Sequence, residues 1–152
     1  MPSNSWGLGA LVFAGVCVAC SGGSDGSSVG ASQTGASSAV SYSDVYTEVL
    51  STCTDHHSGA NAAGNLDLSS ASVAFTNLVG VAAQGPACGA SALGGAKPLL
   101  RVDPGNADES LLYQKLAGTQ TCGASMPDLE PALPASQVDL VKTWINAGAA
   151  KD

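Results

Sequence analysis

Apolar positions recur at helical spacing in four stretches of the chain beyond residue 40, with Gly-, Asn- and Ser-rich segments between them. The first opens at Ser41, which has capping-box spacing with Asp44; Val45 and Val49, and Tyr46 and Leu50, then pair at i,i+4, predicting a short amphipathic helix that runs into Cys53. A turn follows from Ser58 to Asn65, after which Ser69 or Ser70 caps a second helix carrying Val73, Phe75, Leu78 and Val79, with Gly80 to end it. Residues 82–105 contain QGPACGASALGGAKP and read as a long loop, unusual in a compact domain unless something ties it down or it serves a site. Past the Asp103-Pro104-Gly105 turn, ESLLYQKLAG predicts a third helix, with Leu112 and Leu116 on one face, Leu111 flanking and Gly118 at the C-cap. The fourth runs from about Pro134 to Ala147, its stripe formed by Val138, Val141, Trp144 and Ile145, with Pro134 in the first turn and Gly148 as the stop. Strand alternation and internal repeats are absent, so the predicted fold is all-α: about four short helices with long loops, spanning residues 42–152.

Ahead of this domain the pattern changes twice. Leu8 to Cys20 (LGALVFAGVCVAC) is apolar for 13 residues, where a bilayer-spanning helix needs about 20. That length suits the apolar core of a signal peptide. Its end, Val18-Ala19-Cys20, resembles the lipobox of bacterial lipoproteins, which implies lipid on Cys20 and a signal peptide over residues 1–20. Residues 21–41 are almost wholly Ser, Gly, Ala and Thr, too poor in apolar surface to offset the entropy of ordering, and read as a flexible tether. The expected location is therefore outside the cytoplasm, lipid-anchored at the cell envelope, in the periplasm or at the outer surface. With 152 residues there is room for one domain and one modest core. Five Lys+Arg against twelve Asp+Glu give a net charge of -7 and no basic cluster, which argues against nucleic acid as a partner.

The candidate chemistry begins where the first helix ends. In Cys53-Thr54-Asp55-His56-His57 the cysteine and the second histidine are four apart, so on a helical turn a thiol and an imidazole look to the same side. Covalent haem attachment needs this pair, a sulfur to add to a vinyl group and an imidazole to ligate iron, and its standard form is CxxCH. Here His56 takes the place of the second cysteine, so at most one thioether can form. His56 is then an alternative axial ligand, a surface histidine, or the mark of a site that no longer holds haem. His56 and His57 are the only histidines, and no GxSxG or comparable nucleophile setting accompanies them, so an enzyme is not expected. Zinc or copper held by Cys53, His56 and His57 lacks an evident fourth donor.

Beyond that motif, the chain offers His57-Ser58-Gly59, GNLDLSS at Gly64 to Ser70, VDPGNADESLLYQKL at Val102 to Leu116, Met126-Pro127 and WINAGA at Trp144 to Ala149. In this order and spacing the segment from Val45 to Ala149 resembles the cytochrome c-like domains of planctomycete and myxobacterial exported proteins. The resemblance implies a small class I cytochrome c-like fold holding haem c, with Cys53 as the attachment thiol, His57 and Met126 as axial ligands of the iron, and Trp144 and Ile145 covering a porphyrin edge. It implies an electron carrier that meets a redox partner protein. The alternative is a cytochrome-derived module without haem, structural or interaction-bearing, on a surface lipoprotein.

With Cys17 in the leader and Cys20 assigned to lipid, three cysteines remain, an odd number for an oxidising compartment. A Cys88–Cys122 disulfide is expected, holding the long loop against the segment with Met126 and leaving Cys53 for haem. Pairing of Cys53 with Cys88 is the open alternative and would consume the attachment residue.

Overall fold

The computed structural model describes residues 39–90 and 98–152, all within one compact unit, Ser37–Asp152. The leader with Cys17 and Cys20, and the tether as far as residue 38, lie outside the described residues. All regular secondary structure among those described is helical. None of these helices is long and apolar enough to cross a membrane.

Helix α1 (Tyr42–Glu48) opens with the expected capping box: the Ser41 hydroxyl accepts from the Asp44 amide at 3.1 Å, and the Asp44 carboxylate accepts from the Ser41 amide at 3.3 Å. It does not continue into Cys53. After Glu48 the chain tightens into a 3-10 turn, Leu50–Cys53, and the side chains explain why. Ser51 Oγ donates to the Thr47 carbonyl at 2.9 Å, Thr52 Oγ1 to Val49 at 2.7 Å and Thr54 Oγ1 to Ser51 at 3.0 Å. Such bonds compete with the helical ladder for the same acceptors.

Ser70 caps α2 (Ala71–Leu78), its hydroxyl accepting from the Val73 amide at 3.4 Å. The helix buries Ala74 and Leu78 and leaves Val73 exposed, so the apolar stripe lies one position away from the expected Val73. Gly80 turns the chain at φ +71°, a conformation that suits glycine. The segment after it is tied along residues 99–102: Gly80 N–H donates to the Val102 carbonyl at 3.0 Å, Arg101 N–H to Val81 at 2.7 Å and Ala83 N–H to Leu99 at 2.9 Å. These bonds form isolated bridges rather than strands, and they tie down the start and end of the segment that the sequence reads as a long loop.

Helix α3 (Leu111–Ala117) ends at Gly118 in the left-handed region, as expected. Leu111 and Leu116 are its buried leucines, and Leu112 is only half-buried. Helix α4 (Ala135–Asn146) has Pro134 at its N-cap and buries Val141, Trp144 and Ile145. Both α1 and α3 pack against α4. At the centre, the Trp144 ring lies 5.4 Å from that of Tyr42, which meets Phe75 edge-on at 5.1 Å. Their polar handles are satisfied: Trp144 Nε1–H donates to the Ala150 carbonyl at 2.9 Å and Tyr42 O–H to Ala71 at 2.6 Å. Burial pushes the Tyr42 phenol up to about 12.

A smaller cluster, Ala83, Cys88 and Leu111, lies beside this core. It contains the Cys88–Cys122 disulfide, whose Cα atoms are 5.4 Å apart. The expected pairing is thus present, and Cys53 is the free thiol among the described residues.

Candidate functional site: the Cys53–His57 turn and the Met126 segment

Cys53 and His57 sit on one turn, because the His57 amide donates to the Cys53 carbonyl at 3.0 Å. The next residues fold back over it. Ala63 N–H donates to the His56 carbonyl at 3.0 Å and Leu68 N–H to the His57 carbonyl at 2.7 Å. This return brings the Ala63 carbonyl to 3.0 Å from His57 Nδ1. A carbonyl oxygen only accepts, so Nδ1 carries the proton of the neutral ring and Nε2 keeps its lone pair. Burial lowers the pKa of His57, the Ala63 and Leu66 backbone bonds oppose that shift, and the charges of His56 and Arg101 add to it. The result is a half-buried, neutral imidazole with one fixed tautomer. His56, its neighbour, is exposed.

The Cys53 thiol is half-buried against the main core, with Sγ 3.6 Å from the Val49 carbonyl. Burial raises its pKa, a Thr52 hydrogen bond pulls the other way, and the negative charge of Glu130 raises it again. It is held as a protonated thiol rather than a thiolate.

Met126 is half-buried against the same core. Lys115 fixes its segment from both ends: the Lys115 carbonyl accepts from Met126 N–H at 2.9 Å, and Lys115 Nζ donates to the Ala124 carbonyl at 2.7 Å and to Cys122 at 3.2 Å. The Cys88–Cys122 bridge anchors the same stretch. Beside Met126 is a cavity of about 160 Å³, lined by Leu116, Ala117, Pro127, Glu130 and Ala132 among others. From Pro127 to Leu133 the backbone makes no hydrogen bond among the described residues, and Leu129 is fully exposed at φ +61°. That stretch is held at its ends only.

The expected site residues therefore fall into three groups. Cys53 and His57 are brought together on one turn. Met126 lines the neighbouring cavity, whose wall residue Glu130 is close enough for its charge to act on Cys53. Neither Cys53 nor His57 lines that cavity, which is far smaller than a tetrapyrrole. Trp144 is 1 % exposed and serves the centre of the core. Among the described residues no group of three or more His, Cys, Asp and Glu side chains is gathered to hold a metal ion, so a zinc or copper site on Cys53, His56 and His57 is not formed.

Two positions that the sequence reading passed over turn out to hold these segments. One is Lys115. The other is Arg101, 5 % exposed, which donates from Nη1 to the Asn77 carbonyl at 2.8 Å and from Nη2 to Gly64 and Asn65 at 2.9 Å each. The available signal was a lone arginine between Leu99-Leu100 and Val102, a charge set inside an apolar run. Comparison with protein-family models, with curated proteins and with solved structures gives no match for this chain.

Proposed function

We propose that the chain is an exported electron carrier that binds haem c through a single thioether on Cys53, with His57 and Met126 as axial ligands and a class I cytochrome c-like fold. The observation that carries this reading is the His57–Ala63 hydrogen bond. A ligating histidine characteristically donates its second ring N–H to a carbonyl or carboxylate, which fixes the ring and leaves the other nitrogen for the metal. His57 has that arrangement, on the same turn as a free thiol.

The remaining donors fit. Cys53 is spared from the disulfide, and the Met126 thioether rests on the same apolar core from the other end of the sequence. Bound haem would supply a one-electron couple; the residues would supply ligands, burial and orientation. Lys115 and the disulfide hold the Met126 segment, while Pro127 to Leu133, tied only at its ends, is the part able to give way to a larger group. Trp144 belongs to the packed core against which Cys53 and Met126 rest. A disulfide suits an oxidising compartment, in keeping with a leader ending at Cys20, a lipid anchor there and a redox partner protein outside the cytoplasm.

The size of the cavity favours a second reading, a haem-less module of cytochrome ancestry on a surface lipoprotein, because the core packs closed around Trp144 and the cavity beside Met126 is only about 160 Å³. Mass spectrometry of the exported protein separates the two. The carrier reading requires one haem equivalent on the peptide containing Cys53 and lipid on Cys20; a Cys53 peptide of unmodified mass, from cells competent in haem attachment, contradicts it.

A further inference from the structure

Arg101 is an uncommon kind of buried charge. Among the described residues the only ion pair is Lys142 with Asp108, 3.4 Å apart, so none of the described carboxylates pairs with Arg101. Its partners are three backbone carbonyls from two different segments: Asn77 at the end of α2, and Gly64 and Asn65 in the turn after His57. That turn is conformationally demanding, with Gly64 at φ +65° and Asn65 at φ +54°. It is also closely backed, since a Cβ at Gly85 would come within 3.3 Å of Gly64 Cα. The residue immediately before it, Ala63, provides the carbonyl that His57 Nδ1 bonds.

From this geometry we infer that Arg101 is the positioning residue of His57: by clamping Gly64 and Asn65 to the end of α2, it holds the Ala63 carbonyl on Nδ1–H and so leaves the Nε2 lone pair free. The use of Nε2 as an iron ligand rests on the haem reading; the control of the tautomer does not. A planar guanidinium can reach both segments at once with parallel donors. An ammonium acts as a point charge and cannot span them. Without the fork, the Ala63 carbonyl is free to drift, and the ring reverts to the Nε2–H tautomer favoured by a free histidine in water.

The test is a long-range nitrogen–proton correlation spectrum of the two histidines in the full, haem-free chain at about pH 8, above the ordinary imidazole range. Exposed His56 serves as the internal reference. His57 in the unaltered chain is expected mainly as the Nδ1–H form, with a severalfold swing towards Nε2–H in both Arg101→Lys and Arg101→Met. An unaltered chain with His57 in the Nε2–H form overturns the inference, and so does either variant folding with the tautomer unchanged. If neither variant folds, the unaltered chain still decides: the His57 Nδ1 proton and the Arg101 Nη protons should exchange with solvent at matched rates through one opening, and unrelated rates overturn it. Haem loading is scored separately, so a colourless but correctly tautomeric protein defeats the carrier reading and leaves the role of Arg101 standing.

Discussion

Cys53 and His57 are joined through the backbone by a 3.0 Å hydrogen bond from the histidine amide to the cysteine carbonyl, while exposed His56 sits between them in sequence. The turn thus carries a free thiol at one end and an imidazole at the other, and the haem attachment proposed above would use that one sulfur. The variant His56→Cys is expected to accept a second thioether when made in haem-attaching cells, seen as a shift of the pyridine haemochrome band. At an exposed position it should change stability by no more than about 0.5 kcal/mol. Retention of the single-thioether band would show that position 56 does not face a vinyl group.

The Cys88–Cys122 bridge closes a separation of 34 residues. In the chain-entropy model its removal by Cys122→Ser with Cys88→Ser should cost about 3–4 kcal/mol, measured by chemical denaturation. The effect on the site is more telling. On the proposed haem reading, and with the bridge anchoring the Met126 segment together with Lys115, the double variant should lose Met126 ligation before His57 ligation and its haem should become high-spin. Loss of stability with an unchanged low-spin spectrum would limit the bridge to a structural role.

Burial holds the His57 imidazole below the ordinary histidine range. Between its folded value and the unfolded value of about 6.5, the unfolded chain therefore binds more protons than the folded one. Stability rises with pH across that window, is fully present above about 6.5, and falls as pH drops through it. Denaturation midpoints across this range should show the slope in the haem-free chain and lose it in His57→Gln. The exposed carboxylates Asp67 and Asp152, both held low chiefly by hydrogen bonds with Ser69 and Ser43, act in a separate window below about pH 4.

Trp144 lies against Tyr42 and donates to the Ala150 carbonyl from a fully packed position. Trp144→Ala should cost about 3–5 kcal/mol in the haem-free chain, checked by chemical denaturation monitored by far-ultraviolet circular dichroism. A cost under about 1 kcal/mol would mean that the core does not depend on this ring for its packing.

Helix ends with a side-chain signature were readable from the sequence. Ser41 with Asp44, Ser70, Gly118 and the stripe ending in Trp144 and Ile145 all act locally, and each does what its chemistry suggests. The end of α1 was not readable in this way: apolar spacing continues through Leu50, but Ser51, Thr52 and Thr54 turn their hydroxyls onto the backbone and tighten the chain. The site was legible where it is local, as in the Cys53–His57 spacing. It was not legible where it depends on contacts across more than 30 residues, as between Arg101 and the Gly64–Asn65 turn, since periodicity carries no information about which carbonyls a buried guanidinium will meet.

The central claim is that Cys53, His57 and Met126 serve one haem. Its most direct measurement is the absorption spectrum of the chain purified from cells with an active haem-attachment system, taken beside Cys53→Ala and Met126→Leu. The account predicts a red protein with low-spin bands, haem lost to acidified organic solvent only in Cys53→Ala, and a change to high-spin only in Met126→Leu. A colourless unaltered protein, or bands indifferent to both substitutions, would contradict it.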